Sequence, residues 1–546
     1  MTRVSRWQIA ALLFALCLPV LADDAEDREA LRIEIEQLRE SGRLSIGGID
    51  VASGNLLADF YERRGFSLAW SGTGKIESLI EVIKATANDG LDPTDYHLDE
   101  IEQVNGLLEN GKQLAPDERA ALDIAMTDSL FRLGYHQRFG KVDPYDLDPE
   151  WNFARELGGK DPARAIQEAI DAESLSDYLA AIFPRVELYQ RLQSYLVEYR
   201  KVAAVGGWPR VPDGPTLRPG AADERLPILA RRLAITGDLP AAAAPVSVYA
   251  DALESAVVNF QERHGLDPDG IVGPATLRAL NVPVEDRVNQ IRLNLERGRW
   301  VLDNLEDDFV VVNIAGFRAY LYRDQKPVWS TRVVVGKTYH KTPVFRSLMK
   351  YVVFNPTWTV PYSIATKEML PAIQRDPNYL SARNFDVKGR NGDIIDPASV
   401  DWSQVTRRNF GYTFVQRPGV SNALGEIKFI FPNQHSVYLH DTPSKSLFIK
   451  AERTFSHGCI RVDRPFDFAE VLLQQDGWNR EMIDAEIASR NTRSVFLSQP
   501  LPVLLLYWTA EIGEDGQIHF YDDVYERDQK ILTALDSPYQ VNMPES

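Results

Sequence analysis

Cysteine is scarce in this chain: of 546 residues, only Cys17 and Cys459 are cysteines. That count excludes a disulfide-stapled fold. Basic residues are outnumbered, 60 Lys and Arg against 78 Asp and Glu, for a formal net charge of −18. Such a surface argues against nucleic acid, which needs a basic stripe. Long apolar runs are missing after the N-terminus. No later segment reaches about 18 apolar residues, so no further membrane span is expected. The chain lacks an HExxH motif and a KTG motif, and Gly72-Thr73-Gly74-Lys75 lacks the leading glycine of a phosphate-binding loop. Internal repeats and low-complexity tracts are absent as well.

What is present begins with a charged and then apolar N-terminus. Arg3 and Arg6 precede an apolar run from Ile9 to Leu21, too short for a comfortable membrane span. Val20-Leu21-Ala22 offers a cleavage site, followed by Asp23, Asp24, Glu26 and Asp27. The pattern is that of a secretory signal over residues 1–22, with an uncleaved inner-membrane anchor as the alternative. Bulky Leu16 argues against lipoprotein processing at Cys17. Removal of the signal removes Cys17 and leaves Cys459 without a partner. An unpaired thiol is a liability in an oxidising compartment, so Cys459 is expected to have a chemical use.

The composition, 44% hydrophobic and 10% aromatic, is that of a globular protein, and its length suggests three or four domains. Residues 23–202 read as a helical domain, with Leu122, Met126, Leu130 and Leu133 marking one buried helix face. The Pro- and Gly-rich stretch 203–223 reads as a linker. A compact unit follows over 224–283, and 284–307 reads as a connecting helix. From Phe309 onward short apolar strands dominate, as in Phe309-Val310-Val311-Val312 and Tyr351 to Phe354. A polar, partly helical insertion spans 363–411. Residues 501–546 read as a hairpin, Val503 to Ile512 and Ile518 to Tyr521 turning at Asp515-Gly516, then a short helix. The expected fold class is therefore multidomain α+β, with a mostly β unit over 308–500.

Cys459 sits in Ser456-His457-Gly458-Cys459-Ile460-Arg461, with His440 19 residues upstream. A thiol is a strong nucleophile only as thiolate, so it needs a base or a positive field. Ser436 to His440 alternates like a strand and places Tyr438 and His440 on one face. Gly458 lets a backbone approach, amides near Cys459 offer an oxyanion hole, and Arg461 is placed to meet a substrate carboxylate. His435, His440, His457 and Cys459 also supply zinc-type ligands, but their spacing matches no recognised zinc pattern. Ser347-Leu348-Met349-Lys350 has the SxxK spacing of serine acyl-enzymes, yet it lies among strand-like residues where that motif needs a helix.

The motif, with 15 residues between His440 and Ser456, resembles the L,D-transpeptidase catalytic domain of the YkuD superfamily. The resemblance continues through Val333-Val334-Val335-Gly336-Lys337, Thr342-Pro343-Val344-Phe345, Asn355-Pro356-Thr357-Trp358 and His440-Asp441-Thr442-Pro443. Residues 254–283, with Gly265-Leu266, Asp269-Gly270 and Gly273-Pro274, resemble a small three-helix peptidoglycan-binding domain. Asp267 and Asp269 hint at a calcium loop, but Ile271 and Arg278 stand where later ligands belong. Gly54 to Trp70 and Asp89 to Tyr96 look like the scaffold domain of large Gram-negative L,D-transpeptidases of the YcbB type.

The resemblance implies a periplasmic enzyme that cross-links peptidoglycan, with Cys459 acylated as nucleophile and His440 as general base. Ser456, His457, Gly458 and Asp441 would support the site and its oxyanion hole, and Arg461, Tyr438 and Trp358 would bind substrate. The insertion 363–411 would be a lid. No cofactor or metal is implied. Implied partners are stem peptides and glycan strands, with other cell-wall synthesis enzymes as candidates, and acylation by carbapenems is expected. An L,D-carboxypeptidase, a lipoprotein-anchoring transpeptidase and a non-catalytic wall-binding scaffold stay open as alternatives.

Overall fold

The computed structural model describes residues 18–539 apart from 42–43, 47–48, 73, 154–158, 160, 184–185, 241–246 and 303–304. Residues 1–17, most of the expected export signal, lie outside the described residues. Among those described, no helix is long and apolar enough to cross a membrane.

The protein is multidomain α+β. Its N-terminal part packs around the helix Pro116–Phe139. Leu122, Met126, Leu130 and Leu133 are buried, as their spacing predicts, but the opposite side is buried too. Asp123, Thr127, Asp128, Arg132 and His136 line it and are anchored by polar contacts. The Asp123 carboxylate, for example, accepts from the Ala69 and Trp70 amides and from the Tyr61 hydroxyl. A buried carboxylate persists only when its lone pairs are filled in this way.

Three helices, Leu226–Ile235, Asp251–Arg263 and Pro274–Leu280, build the small unit. Gln261 is buried at its turn: its amide donates to Asp269 Oδ1, Ile271 O and Thr276 Oγ1 and accepts from the Gly270 N–H. The expected linker 203–223 is in part built into this unit. Val211 and Leu217 are buried in its core, and Leu217 bridges to Val272. Proline and glycine bend the stretch there, but its apolar side chains still find a core.

The helix Val284–Val301 ties the parts together. Glu296 and Arg299 form a fully buried pair on it. Glu296 also accepts from the Val142 amide, and Arg297 pairs with Asp528 of the C-terminal helix.

The C-terminal half is organised by one nine-stranded sheet. Its strands are β1 (Phe309–Asn313), β2 (Arg318–Arg323), β3 (Lys326–Gly336), β4 (Phe345–Phe354), β5 (Ile427–Ile430), β6 (Leu439–His440), β7 (Thr454–Ser456), β8 (Ile460–Val462) and β9 (Arg493–Leu506). The order is β7-β3-β8-β6-β5-β4-β9-β1-β2, and β2 also pairs with β3, so the sheet curls back on itself. Val503–Leu506, expected in a terminal hairpin, instead run parallel to β1 inside this sheet. The hairpin proper is Ala510–Ile512 with Ile518–Phe520. Four buried residues in a row (Val503 to Leu506) suit a strand covered on both faces better than a solvated hairpin. Ser347 and Lys350 lie on β4, not on a helix.

The insertion is larger than the expected 363–411. Its four-stranded sheet includes Trp358–Thr359 and Thr413–Gln416, and it has its own core of Met369, Leu370, Ile373, Val387, Trp402 and Phe414. Its polar composition hides this core because the apolar residues are spread over several short elements.

Candidate active site

β5, β6 and β8 lie side by side. Lys428 stands opposite His440, and His440 opposite Arg461. Directly opposed residues share a face, as do residues two apart along a strand. The face carrying Lys428, His440 and Arg461 therefore also carries Tyr438 and Cys459. The other register row, Phe429, Leu439 and Ile460, is buried in the core. This alternation fixes the site on the sheet, since a slip of one residue would bury the thiol and expose Ile460.

Cys459 is half-buried at the start of β8. Its thiol donates to the Ser436 carbonyl at 3.7 Å and also meets the Tyr438 hydroxyl. Burial raises the thiol pKa, against opposing contributions from Tyr438, Lys428 and Arg461. His440 is buried, with Nδ1 2.5 Å from the Asp441 carbonyl. A carbonyl can only accept, so Nδ1 carries the proton and Nε2 the lone pair. Burial, with the Arg461 charge adding to it, pushes the His440 pKa down to about 3. Among the described residues, His440 and Cys459 are not hydrogen-bonded to each other. The resting site is thus a neutral thiol beside a neutral imidazole rather than a preformed ion pair. Alkylation of Cys459 by iodoacetamide is accordingly expected to rise through the alkaline range, with a midpoint above the ordinary thiol value of about 8.5. Rates measured between about pH 6 and 11 check this, and an inflection near the ordinary histidine value of about 6.5 would show an ion pair instead.

The turn before Cys459 is clamped. Ser456 Oγ donates to the Cys459 carbonyl at 2.5 Å and accepts from the Gly458 N–H at 3.0 Å. Gly458, with φ of 115°, adopts a conformation that a side chain would strain. Its N–H is engaged by Ser456. The Cys459 amide has no acceptor among the described residues. Thr342 Oγ1 donates to the Gly458 carbonyl and accepts from the Gly336 amide, each at 2.9 Å. The Tyr525 hydroxyl in turn donates to the Gly336 carbonyl at 2.5 Å. Gly336 admits no side chain, because a Cβ there would lie 2.0 Å from the His340 carbonyl oxygen.

Asp441 lies behind His440, its carboxylate accepting from Lys445 at 2.7 Å and from the Glu426 amide at 2.9 Å. His457 points outward, and its Nε2 lies 2.7 Å from Glu368 Oε1. Glu368 sits in a π-helical turn, Ala365–Met369, of the insertion, so the insertion touches the motif directly. π-Turns place side chains off the regular helical register and recur at functional sites. Trp358 is half-buried and packs near Phe385 in the insertion's core, with ring centroids 6.1 Å apart. His435 faces Glu150 and the Phe345 ring.

Sequence reasoning brought together Cys459, His440, Tyr438, Arg461, Ser456 and Asp441. It missed Lys428 and Tyr525, and it held Thr342 only as part of a matching stretch. An apolar-flanked lysine in a strand two steps before the site is the one local signal for Lys428.

Comparison with known proteins places these units. Residues 307–477 match the family model described as "L,D-transpeptidase catalytic domain", residues 55–196 that of a "Scaffold domain", and residues 223–280 that of a "Putative peptidoglycan binding domain". A curated protein of Haemophilus influenzae (strain ATCC 51907 / DSM 11121 / KW20 / Rd), named "Putative L,D-transpeptidase", is 36% identical over 251 residues, 46% of this chain and 50% of that protein. The chain thus spans about half the length of the curated relative it matches. Among solved structures, an L,D-transpeptidase (residues 123–326) from Xylanimonas cellulosilytica DSM 15894 is 15% identical, covering 54% of this chain and 99% of that one, with a TM-score of 0.17. An L,D-transpeptidase (Yku) from Stackebrandtia nassauensis is 14% identical, covering 53% and 94%, with a TM-score of 0.21. Superpositions this loose carry no argument, and the assignment stands on the family models and the curated relative. Residues 307–477 are thus identified as an L,D-transpeptidase catalytic domain (YkuD), beside one region that matches a scaffold domain and one that matches a peptidoglycan-binding domain model.

Proposed function

We propose that this protein is a periplasmic peptidoglycan L,D-transpeptidase that forms 3–3 cross-links through a thioester on Cys459. The observation that carries the reading is the shared face of Tyr438, His440, Cys459 and Arg461 across β6 and β8. The periplasmic placement rests on the export signal expected over residues 1–22.

In the proposed cycle the donor's carbonyl, at the L-centre of the third stem residue, approaches Cys459. The thiol proton passes to Nε2 of His440, the C–S bond forms, and the carbonyl oxygen becomes an oxyanion. The Cys459 amide is the donor placed to receive that oxyanion. The intermediate collapses, the C–N bond to the terminal D-amino acid breaks, and the leaving amine takes the proton from His440. The side-chain amine of a second stem then attacks the thioester. A new C–N bond forms, the C–S bond breaks, and the amine's proton returns to the sulfur by way of His440. A histidine whose pKa is pushed to about 3 is a weak base. The developing thiolate and the approach of the substrate must therefore strengthen it, as is common where catalytic hydrogen bonds tighten only in the complex.

The acceptor decides between cross-linking and hydrolysis. Contact of Glu368 with His457 brings the insertion onto the motif, and an insertion that closed over the site on substrate binding would exclude water. This favours an amine acceptor over water. The test is mass spectrometry of the full-length enzyme with tetrapeptide-bearing muropeptides and, separately, with a carbapenem. We expect 3–3 dimers as the main product and one carbapenem adduct per chain, on Cys459. Tripeptides with no dimers would make the protein a carboxypeptidase. No adduct on Cys459 and no product of either kind would overturn the acyl-enzyme reading.

A further inference from the structure

Among the described residues, Lys428 and Arg461 are two cations at the site without an ion-pair partner. They stand in one row across β5, β6 and β8, with His440 between them. Strand spacing puts their Cα atoms about 10 Å apart, a gap that two long side chains can close above His440. Lys428 Nζ already leans inward, 3.7 Å from the centroid of the Tyr438 ring. Both residues are half-buried, and Arg461 Nε is buried without any hydrogen-bond partner. Among the described residues, neither forms an ion pair. The acids around them are engaged elsewhere: Asp441 with Lys445, Glu426 with Arg490 and Asp463 with Arg332. Unpaired half-buried charge is unfavourable, and here two such charges stand on the face that carries Cys459.

We propose that Lys428 and Arg461 form a carboxylate subsite that takes the terminal carboxylate of the donor's leaving D-amino acid. The proposal rests on the reading of Cys459 as the nucleophile toward such a peptide, and it goes further by naming the feature of the donor that is recognised. In a donor whose chain ends one residue after the scissile bond, only the amide nitrogen and one Cα separate that carboxylate from the attacked carbonyl. Arg461 is two residues from Cys459 on the same face, about 6.6 Å along the strand. A carbonyl held over the sulfur therefore brings the carboxylate to the two cations. A donor one residue longer carries its carboxylate about 3.5 Å farther on, beyond that grip. The donor's other carboxylates are not fixed in this relation to the scissile bond.

The experiment compares two soluble donors, a tetrapeptide with a free C-terminal carboxylate and the same peptide as C-terminal carboxamide. Single-turnover acylation of the full-length enzyme is followed by intact mass. In the wild type the free acid should acylate faster by on the order of 10²-fold, the scale of charge-assisted hydrogen bonds. In Lys428→Met that ratio should fall to within several-fold of unity, and Lys428→Arg should restore most of it. Lys428→Gln serves if the methionine variant does not fold. A wild type that acylates with both peptides equally overturns the subsite, as does a Lys428→Met enzyme that keeps the full ratio. Acylation by neither peptide overturns the peptide reading and the subsite with it.

Discussion

Cys459→Ser should fold as the wild type does and lose cross-linking by on the order of 10⁴-fold or more. The expectation of intact folding comes from size and setting. Serine is close to cysteine in volume, and the polar contacts around the sulfur, the Ser436 carbonyl and the Tyr438 hydroxyl, suit a hydroxyl as well as a thiol. The clamp on the turn runs through Ser456, Gly458 and Thr342 and does not use the Cys459 side chain. The expectation of lost chemistry comes from acidity. Burial already raises the thiol pKa, and a hydroxyl in the same place ionises far less readily. Removing a nucleophile that acts in concert with its base removes nearly all of the unit's rate enhancement. The measurement is the yield of cross-linked dimer per enzyme, with circular dichroism and melting temperature as folding controls. Retention of more than a few per cent of wild-type turnover by a folded Cys459→Ser protein would sink the thioester mechanism.

The site was legible in the sequence as far as its chemistry is local. Tyr438 and His440, like Cys459 and Arg461, share a face because strands alternate with a period of two, and no tertiary information is needed to see it. What was not legible depends on register between strands. Lys428 reaches the site only because β5 pairs with β6 so that Lys428 faces His440. Nothing within either strand dictates that offset. Tyr525 is more remote still: it lies beyond the last strand of the sheet and reaches the Gly336 carbonyl across 189 positions of sequence. Which amide near Cys459 is left free is a further matter that spacing does not decide. Ser456 takes the Gly458 N–H, and a serine two residues before a glycine is a common local hydrogen-bonding partner. The stretch 203–223 is in part built into the small unit because composition reports bends, not burial, and Val211 and Leu217 are buried despite the bends.

The two histidines of the motif should separate by orders of magnitude. His440→Ala is expected to slow acylation by roughly 10²–10⁴-fold, the usual contribution of a positioned general base. His457→Ala should slow it by less than about tenfold. The difference follows from what each ring touches. His440 is buried on the thiol's face, its Nδ1 proton held by the Asp441 carbonyl so that Nε2 carries the lone pair. With its pKa at about 3 it stays neutral across the working range and is always able to accept a proton. Its removal also leaves a cavity and an unfilled carbonyl, so a stability loss of about 1–3 kcal/mol should accompany the kinetic one. The His457 ring is partly exposed and meets Glu368 of the insertion, a contact with the insertion rather than with the sulfur. Glu368→Ala should therefore reproduce the modest effect of His457→Ala, and the double variant should be little worse than either single one. Carbapenem acylation rates on the four variants, set beside their melting temperatures, decide the matter. If His457→Ala loses more rate than His440→Ala while both remain folded, then His457 is the general base and His440 the residue that orients the site.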